Sequence, residues 1–259
     1  MIQFLHFKLF DNTAGLVHFI TTREGGNSEG LYRSLNLSLN SGDKEENVIS
    51  NRLKLAGQMM IKPDQMLFPD QCHTAELKCI QRTHKFLDLS ETDGLITDQN
   101  DLCLCVLAAD CVPVLLYDQR KKIIAAVHAG WKGTVKQIVP GAIDKMRWQY
   151  GSEPGDILAG VGPAISPERY EVGQEVGSEV KNLFQDSQGI IFHNHESHRD
   201  HIDLQEANRK LLLRCGLQRE NIEIMRTCTY SNPGLFFSAR RDGYHSGRFA
   251  SGIILRNTK

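Results

Sequence analysis

Hydrophobic and polar positions follow their clearest pattern between residues 103 and 134. Two apolar runs rich in β-branched residues, 104–117 and 123–128, flank the polar segment 118–121. Runs of this length and composition predict strands, and the polar residues between them predict a turn. We therefore expect a buried antiparallel hairpin around which the rest of the chain is organised.

The register of this hairpin decides which side chains share a face. If the turn is symmetric about the Gln119–Arg120 bond, Cys111 lies opposite His128. Directly opposed residues on an antiparallel pair have Cβ atoms roughly 4.5–5.5 Å apart. A thiolate and an imidazole at that separation can hold one metal ion or form one nucleophile–base pair. A shift of one residue would turn the two side chains to opposite faces.

The remaining pattern predicts strands that alternate with helices. Strands are expected near 2–22, 71–81, 157–165 and 222–230, and helices at 43–58, 166–184 and 204–215, with a stop at Gly216. The strand at 71–81 is expected to begin near His73 and to bury Leu77 and Ile80. After His128 we expect a glycine-bearing turn and a helix interrupted near Pro140. A polar, Arg-rich loop and an apolar strand, 236–255, close the chain.

Composition narrows the class of protein. Of 259 residues, 41% are hydrophobic and 24% charged, which is ordinary for a globular protein. The 30 Lys and Arg residues balance 31 Asp and Glu residues, so no broad field favours nucleic acid or an acidic membrane. No apolar run reaches the roughly 18 residues that a membrane span needs, and the start lacks the features of a secretory signal. We expect a cytoplasmic protein with reduced thiols, folded as one domain over 1–259.

A catalytic metal site needs a third ligand and a position left open. His73 is our candidate for that ligand, since it begins a predicted strand, and Gln71 and Thr74 beside it can supply supporting hydrogen bonds. One thiolate with two imidazoles suits zinc or copper better than magnesium or calcium. The spacing alone leaves other thiols as rival ligands, namely Cys72, Cys79 and Cys105. Asp110 precedes Cys111 and can share the pocket only where the strand bends.

Substrate contacts are harder to assign from residue types. The long loop 22–43, rich in Gly, Ser and Asn, offers Arg23 and Asn36. Lys132, at the start of the helix after His128, can meet an anion, and Arg248 belongs to an arginine cluster suited to phosphate or carboxylate. The histidine-rich tract 193–201 has no framing Cys or strand pattern, and a solvated loop is the better interpretation.

Taken together, these segments resemble the YfiH-type family, whose members are also labelled laccase-domain proteins, polyphenol oxidoreductases and purine nucleoside phosphorylases. The stretches that carry the resemblance span nearly the whole chain: TREGG, SLNLSLNSGD, QCH, TDGLITD, ADCVPVLLYD, AAVHAGWKGT, GPAISPERYEVG, ANR and FFSARRDGYHSGR. The pair ADC-x-PVLL and HAGW-[RK]-G is highly specific. Two departures are Cys72, where valine is usual, and Arg169 before Tyr170, where cysteine is often found.

The resemblance implies a fold, a metal site and an activity. The fold would be a single α/β unit with mixed, largely antiparallel sheets and flanking helices. His73, Cys111 and His128 would bind zinc, with copper as a possible substitute. The substrates would be purine nucleosides and phosphate. The reactions would be phosphorolysis of adenosine, inosine and methylthioadenosine, together with deamination of adenosine. Arg23, Lys132 and Arg248 would then be the candidate phosphate holders.

Two other activities stay open. Cys111 can be a nucleophile with His128 as its base, as in cysteine hydrolases, and the resemblance leaves room for a hydrolase that edits cell-wall precursors. A thiolate bound to a metal is a poor nucleophile, so this hypothesis and the metal site exclude each other in the resting enzyme. A copper phenol oxidase ranks lower, because one mononuclear site lacks the several copper centres that four-electron oxygen reduction normally needs.

Overall fold

A computed structural model describes residues 1–11, 13–81 and 88–257. Within them the strands are β1 (Phe4–Leu5), β2 (Leu16–Thr21), β3 (Met66–Leu67), β4 (Leu77–Cys79), β5 (Gly94–Thr97), β6 (Cys103–Ala108), β7 (Val112–Asp118), β8 (Ile123–Ala129), β9 (Ile157–Val161), β10 (Glu171–Val172), β11 (Ile191–Asn194), β12 (Arg199–Ile202), β13 (Ile222–Ile224) and β14 (Phe249–Leu255). The helices are α1 (Glu45–Gln58), α2 (Trp131–Val135), α3 (Ile138–Tyr150), α4 (Gln174–Leu183), α5 (Leu204–Arg214) and α6 (Ala239–Asp242).

The strands form three sheets. Their orders are β1-β2-β14-β6-β3, β13-β9-β7-β8-β5-β4 and, in a small sheet, β10-β12-β11. The pairs β3–β6, β4–β5 and β9–β13 are parallel, whereas the other strand pairs are antiparallel. The predicted fold class, α/β with mixed and largely antiparallel sheets flanked by helices, is confirmed.

The two large sheets pack face to face, which explains why their central strands are apolar on both sides. Along β7, Leu115 and Tyr117 pack between the sheets, and Val114 and Leu116 pack against the helical layer that contains α3 and α5. A strand covered on both faces loses the alternation of apolar and polar residues. The outer face of the five-stranded sheet is covered by α1 and the long loop before it.

The first strand of the predicted hairpin is wrong, because the run 104–117 is two strands. β6 belongs to the five-stranded sheet and β7 to the six-stranded sheet. The chain crosses between them at Asp110, whose φ of 91° lies in the left-handed region. Asp110 is the only charged residue of the run 104–117, and the sequence on both sides of it is apolar because both strands are buried on both faces.

The register of the remaining hairpin, β7 with β8, differs from the prediction by two residues. His128 lies opposite Pro113, so Cys111 would face Gly130 if the pairing were extended. The cause is the turn, which is centred one residue later than expected. The Asp118 carboxylate accepts hydrogen bonds from the backbone N–H groups of Arg120 and Lys121, at 2.8 and 2.9 Å. A shift of two residues preserves the face, and Cys111 and His128 still point between the two large sheets.

Three further predictions need correction. The strand after His73 begins only at Leu77, and His73 itself lies in a loop with φ of 59°. The helix after His128 is interrupted at Gln137, with φ of 60°, and Pro140 lies in the first turn of α3, where its missing N–H costs no helical bond. The histidine-rich tract is the hairpin β11–β12 and not a loop.

Other expectations agree with the structure. Leu77 and Ile80 are buried, α1 and α5 are present, and Gly216 follows α5 with φ of 95°. No helix in the described ranges is long and apolar enough to cross a bilayer.

Candidate active site

A cavity of about 540 Å³ opens at one end of the layer between the two large sheets. Its floor is formed by the loop before β4, the crossing from β6 to β7 and the end of β8. Its walls come from the long loop 22–43, α1, and the segment from α6 to β14. His73, Cys111 and His128 line the floor together, although 55 positions separate the first from the last.

The three side chains converge on one point. One ligand atom from each residue can be chosen so that all lie within 4.8 Å of one another, which is the spacing of a metal site. The Cys111 Sγ lies 3.8 Å from the His73 Nε2, and the two imidazole ring centres are 4.9 Å apart. A Cβ at Gly130 would lie 3.0 Å from the Cys111 Sγ and 3.0 Å from the His73 Cδ2. The glycine therefore leaves the space between Cys111 and His73 open.

A buried carboxylate, Asp93, holds two of these residues in place. It accepts a hydrogen bond from the His128 Nδ1 at 2.7 Å, and others from the backbone N–H groups of Cys72, His73 and Thr74 at 3.1, 3.1 and 2.7 Å. Burial raises the pKa of Asp93, but the bonds from His128 and Thr74 outweigh it and lower the pKa to about 2. Because the carboxylate is ionised, His128 donates through Nδ1 and its Nε2 is left to face the cavity.

Sequence reasoning missed Asp93 as a site residue. Asp93 lies within the TDGLITD stretch that carries the resemblance, and its partner His128 lies 35 positions later. Gln71, which we expected to support His73, instead bonds the backbone of Leu107, and the Thr74 hydroxyl donates to Asp93. The supporting hydrogen bonds therefore reach His73 and His128 through one carboxylate.

Asp110 supports Cys111, the third candidate metal ligand, through the backbone. Its carboxylate is nearly buried and accepts hydrogen bonds from the Thr229 hydroxyl, the Ser238 hydroxyl and the backbone N–H of Arg240, at 2.6, 3.0 and 2.7 Å. These bonds tie the left-handed turn before Cys111 to the start of α6. As expected, Asp110 reaches the pocket only because the chain bends there.

The electrostatics of the floor favour a charged pair. Burial by itself raises the pKa of the Cys111 thiol, yet contacts with His128 and His73 bring it well below the ordinary value. Burial lowers the pKa of His128, but Cys111 and Asp93 raise it above its usual range. Without a metal, these two side chains therefore favour a thiolate beside an imidazolium.

Of the predicted substrate contacts, Arg248 alone lines the cavity. Its guanidinium donates to the backbone carbonyls of Tyr244 and Gly247 at 3.1 and 3.0 Å, which fixes its own loop. Asn36 is fully buried and donates to Ser41 at 2.8 Å, so it organises the long loop from inside.

The other two predicted contacts lie outside the cavity. Arg23 donates to the carbonyls of Arg33 and Pro233 and covers the Phe237 ring at 4.4 Å. Lys132 is exposed, with its Nζ 5.7 Å from the centre of the Trp131 ring. A role for Arg23, Asn36 or Lys132 in substrate contact stays a prediction.

The cavity also contains residues that sequence reasoning did not single out or did not place. Arg240 lies over the Tyr170 ring at 5.1 Å, and Arg52 of α1 lies over the Phe68 ring at 4.1 Å. Nothing in the pattern of α1 distinguishes Arg52 from a solvent-facing arginine. The thiol of Cys72 is exposed near the Asp70 carbonyl, 3.5 Å away, and does not line the cavity.

Comparison with known proteins supports the family suggested by the sequence. A family model described as multi-copper polyphenol oxidoreductase laccase matches residues 17–256. The chain belongs to this family, and the resemblance to the YfiH-type proteins is confirmed.

Individual relatives cover nearly the whole chain. It is 38% identical over 260 residues to a protein of Bacteroides thetaiotaomicron named purine nucleoside phosphorylase, an alignment that covers 98% of this chain and 96% of the relative. It is 34% identical to a protein named adenosine deaminase RL5, from an unknown prokaryotic organism, with 98% and 99% covered. Among solved structures, the Bacillus licheniformis protein YfiH superposes with a TM-score of 0.88 at 35% identity, covering 93% of each chain.

Proposed function

We propose that this chain is a metal-dependent purine nucleoside enzyme that cleaves adenosine, inosine and methylthioadenosine with phosphate and also deaminates adenosine. The observation that carries the proposal is the convergence of His73, Cys111 and His128 at the floor of an open cavity. The cavity volume is within the range of about 300–1,000 Å³ typical of small-ligand sites. The names of the two relatives supply the substrate class.

The donor set fits zinc, with copper as the possible substitute. One sulfur and two imidazole nitrogens suit these metals, and three protein ligands leave a position for water or substrate. Metal-bound histidines usually donate their other ring N–H to a carboxylate, as His128 does to Asp93. When bound, zinc would supply Lewis-acid activation of water near neutral pH.

The chain's own residues have separate tasks in the two reactions. In deamination, water adds to C6 of adenine and ammonia leaves, so the base must reach the floor where His73 and Cys111 lie. In phosphorolysis, a phosphate oxygen forms a bond to C1′ while the bond from C1′ to the purine N9 breaks, and the purine takes up a proton. Phosphate must therefore be held beside the ribose by a cation of the cavity wall. Of the three phosphate holders predicted from sequence, Arg248 is the one that lines the cavity.

Turnover of purified protein tests the proposal. Adenosine with phosphate should yield adenine and ribose-1-phosphate, and adenosine alone should yield inosine and ammonia. Cys111→Ser and His128→Ala should lose both zinc, measured by elemental analysis, and both reactions. Cys215→Ser is the matched control, because this half-buried thiol ends α5 and does not line the cavity. Metal-loaded wild-type protein that catalyses neither phosphorolysis nor deamination of adenosine would contradict the proposal.

A cysteine hydrolase is the second candidate, favoured by one specific feature. Asp93, His128 and Cys111 form a chain of acid, base and nucleophile, with the first bond at 2.7 Å. That order is the one expected of a thiol hydrolase on amides, esters or cell-wall precursors. Rapid alkylation of Cys111 in native protein that contains no metal, together with amide hydrolysis, would support it. Stoichiometric zinc that protects Cys111 from alkylation would exclude it.

A copper phenol oxidase has the family description as its support. Among the residues with described positions, one cluster of His, Cys, Asp or Glu side chains has metal-site spacing. Oxidation of a phenol by copper-loaded protein, absent in Cys111→Ser, would be required before this activity replaced the first.

A further inference from the structure

Arg52 is a cation of the cavity wall without an acidic partner. It projects from α1 into the cavity, and its guanidinium lies 4.1 Å from the centre of the Phe68 ring. Its Nε–H donates to the backbone carbonyl of Leu37 at 2.9 Å. Within residues 1–11, 13–81 and 88–257, no carboxylate lies within ion-pair distance of it.

This arrangement costs free energy unless an anion completes it. A half-buried charge is normally paired or fully hydrogen-bonded. Burial lowers the pKa of Arg52 to about 10, so the group is still protonated at neutral pH. The stacked ring and the Leu37 carbonyl hold the guanidinium plane but leave its two terminal nitrogens without an acceptor in the described part of the chain.

The other two arginines of the cavity are committed elsewhere. Arg248 donates to the carbonyls of its own loop, at Tyr244, Ser246 and Gly247. Arg240 is exposed and donates to the Glu171 carbonyl at 2.9 Å. Arg52 is thus the guanidinium best able to offer a fork of two N–H groups to a ligand.

The nearby acidic groups leave room for an anion at Arg52. Asp110 is satisfied by three donors of its own. Asp70, at the solvent-exposed rim, accepts a hydrogen bond from Asn40 at 3.1 Å. Neither carboxylate neutralises Arg52.

We propose that Arg52, held by Phe68 and the Leu37 carbonyl, binds the phosphate that attacks the nucleoside. This assignment rests on the proposed function and deepens it, because it places the second substrate on the wall formed by α1. Two parallel N–H groups match two phosphate oxygens, a geometry that lysine cannot reproduce. Arg23 and Lys132, which lie outside the cavity, are not needed for phosphate.

The two proposed reactions provide the test, because phosphorolysis uses phosphate and deamination does not. In Arg52→Gln and Arg52→Lys, the KM for phosphate should rise by about ten- to hundredfold, as expected for a lost charge-assisted bond. Deamination of adenosine should keep its kcat and KM. Arg120→Gln is the matched control, since Arg120 is exposed and faces Asp156 at 3.5 Å on the far turn of β7 and β8. An unchanged KM for phosphate, or a KM for adenosine that rises in both reactions, would overturn the assignment.

A binding measurement separates this proposal from the proposed function. Inorganic phosphate should raise the Tm of wild-type protein and of Arg120→Gln, and should not raise the Tm of Arg52→Gln. If Arg52→Gln does not fold, Arg52→Lys keeps the charge and should show a weaker shift at each phosphate concentration. Wild-type protein that turns over no nucleoside would refute the proposed function, while the phosphate-dependent shift still decides the role of Arg52. Equal shifts in wild type and both variants would refute the subsite.

Discussion

Two histidines of this fold have nearly the same exposure and opposite chemistry. His18 of β2 is 5% exposed and His128 of β8 is 4% exposed. The His18 ring accepts a hydrogen bond from the backbone N–H of Phe7 and packs against Phe7 and Phe10, so burial lowers its pKa to about 4. His128 donates to Asp93 and faces Cys111, which raise its pKa. A buried histidine becomes part of a site through its partners and not through its burial.

Replacing Asp93, the carboxylate partner of His128, should therefore have the largest effect on stability and zinc affinity. Asp93→Asn replaces an acceptor of several N–H groups by an amide that must itself donate. We expect the free energy of unfolding to fall by about 3–5 kcal/mol, as for other buried pairs that lose one member. Zinc affinity should fall by about 10–100-fold, because His128 loses its orientation. Chemical denaturation and a zinc competition assay measure the two effects.

The matched control for Asp93 is Asp98→Asn, in the same segment but exposed, with Gln99 as its hydrogen-bond partner. It should change neither stability nor zinc affinity. An Asp93→Asn protein that behaved like Asp98→Asn would show that His128 needs no carboxylate, and the contrast with His18 would fail.

The same contrast explains which residues of the candidate site could be predicted from the sequence. The three proposed ligands could be singled out because Cys111 and His128 follow the two-residue period of adjacent strands and because the family resemblance covers His73. Asp93 could not, since its bonds depend on a loop that brings residues 72–74 back onto β5 and β8. Nor could the sequence separate His18 from His128, as each follows apolar strand residues.

Arginines were harder to place than the proposed metal ligands for a physical reason. A guanidinium lies several rotatable bonds from its backbone, so strand or helix period does not fix where it points. The Arg23 guanidinium donates to backbone carbonyls outside the cavity. Arg52 lines the cavity, although nothing in the sequence of its helix predicts a functional arginine there. The bounds of α1 and α5 were predicted to within two residues, whereas the helix predicted at 166–184 begins only at Gln174, because residues 171–172 pair with β12 as strand β10. The sheet crossing at Asp110 likewise depended on tertiary contacts.

Acidification should have an intermediate effect on the free energy of unfolding, through protonation of His18. Its pKa is about 4 in the folded protein and 6.5 as the ordinary value, so the unfolded state binds more protons between these pH values. Stability from this group is therefore complete above pH 6.5 and is lost as the pH falls toward 4, by about 3 kcal/mol in total. Denaturation at several pH values should show this slope, and NMR titration should place the His18 pKa below 5.

His18→Gln keeps a polar side chain but cannot titrate, and it should flatten the slope over that range. His195→Gln, at an exposed histidine of the β11–β12 turn, should leave the slope as in wild type. If stability rose on acidification through this range, His18 would be protonated in the folded state and the comparison with His128 would be reversed.

The smallest effect on the free energy of unfolding is expected at Gly130, where a substitution should act on zinc binding instead. Its φ of −71° suits alanine, so Gly130→Ala strains no backbone, but the added Cβ would lie 3.0 Å from the Cys111 Sγ. The metal-free variant should unfold within about 1 kcal/mol of wild type, yet bind zinc more weakly, as elemental analysis after dialysis would show. Gly141→Ala, in α3, should bind zinc normally, because the added Cβ would be in ordinary van der Waals contact with Leu77 at 3.5 Å. Equal zinc content in the two variants would mean that the space between His73 and Cys111 is not where the ion lies.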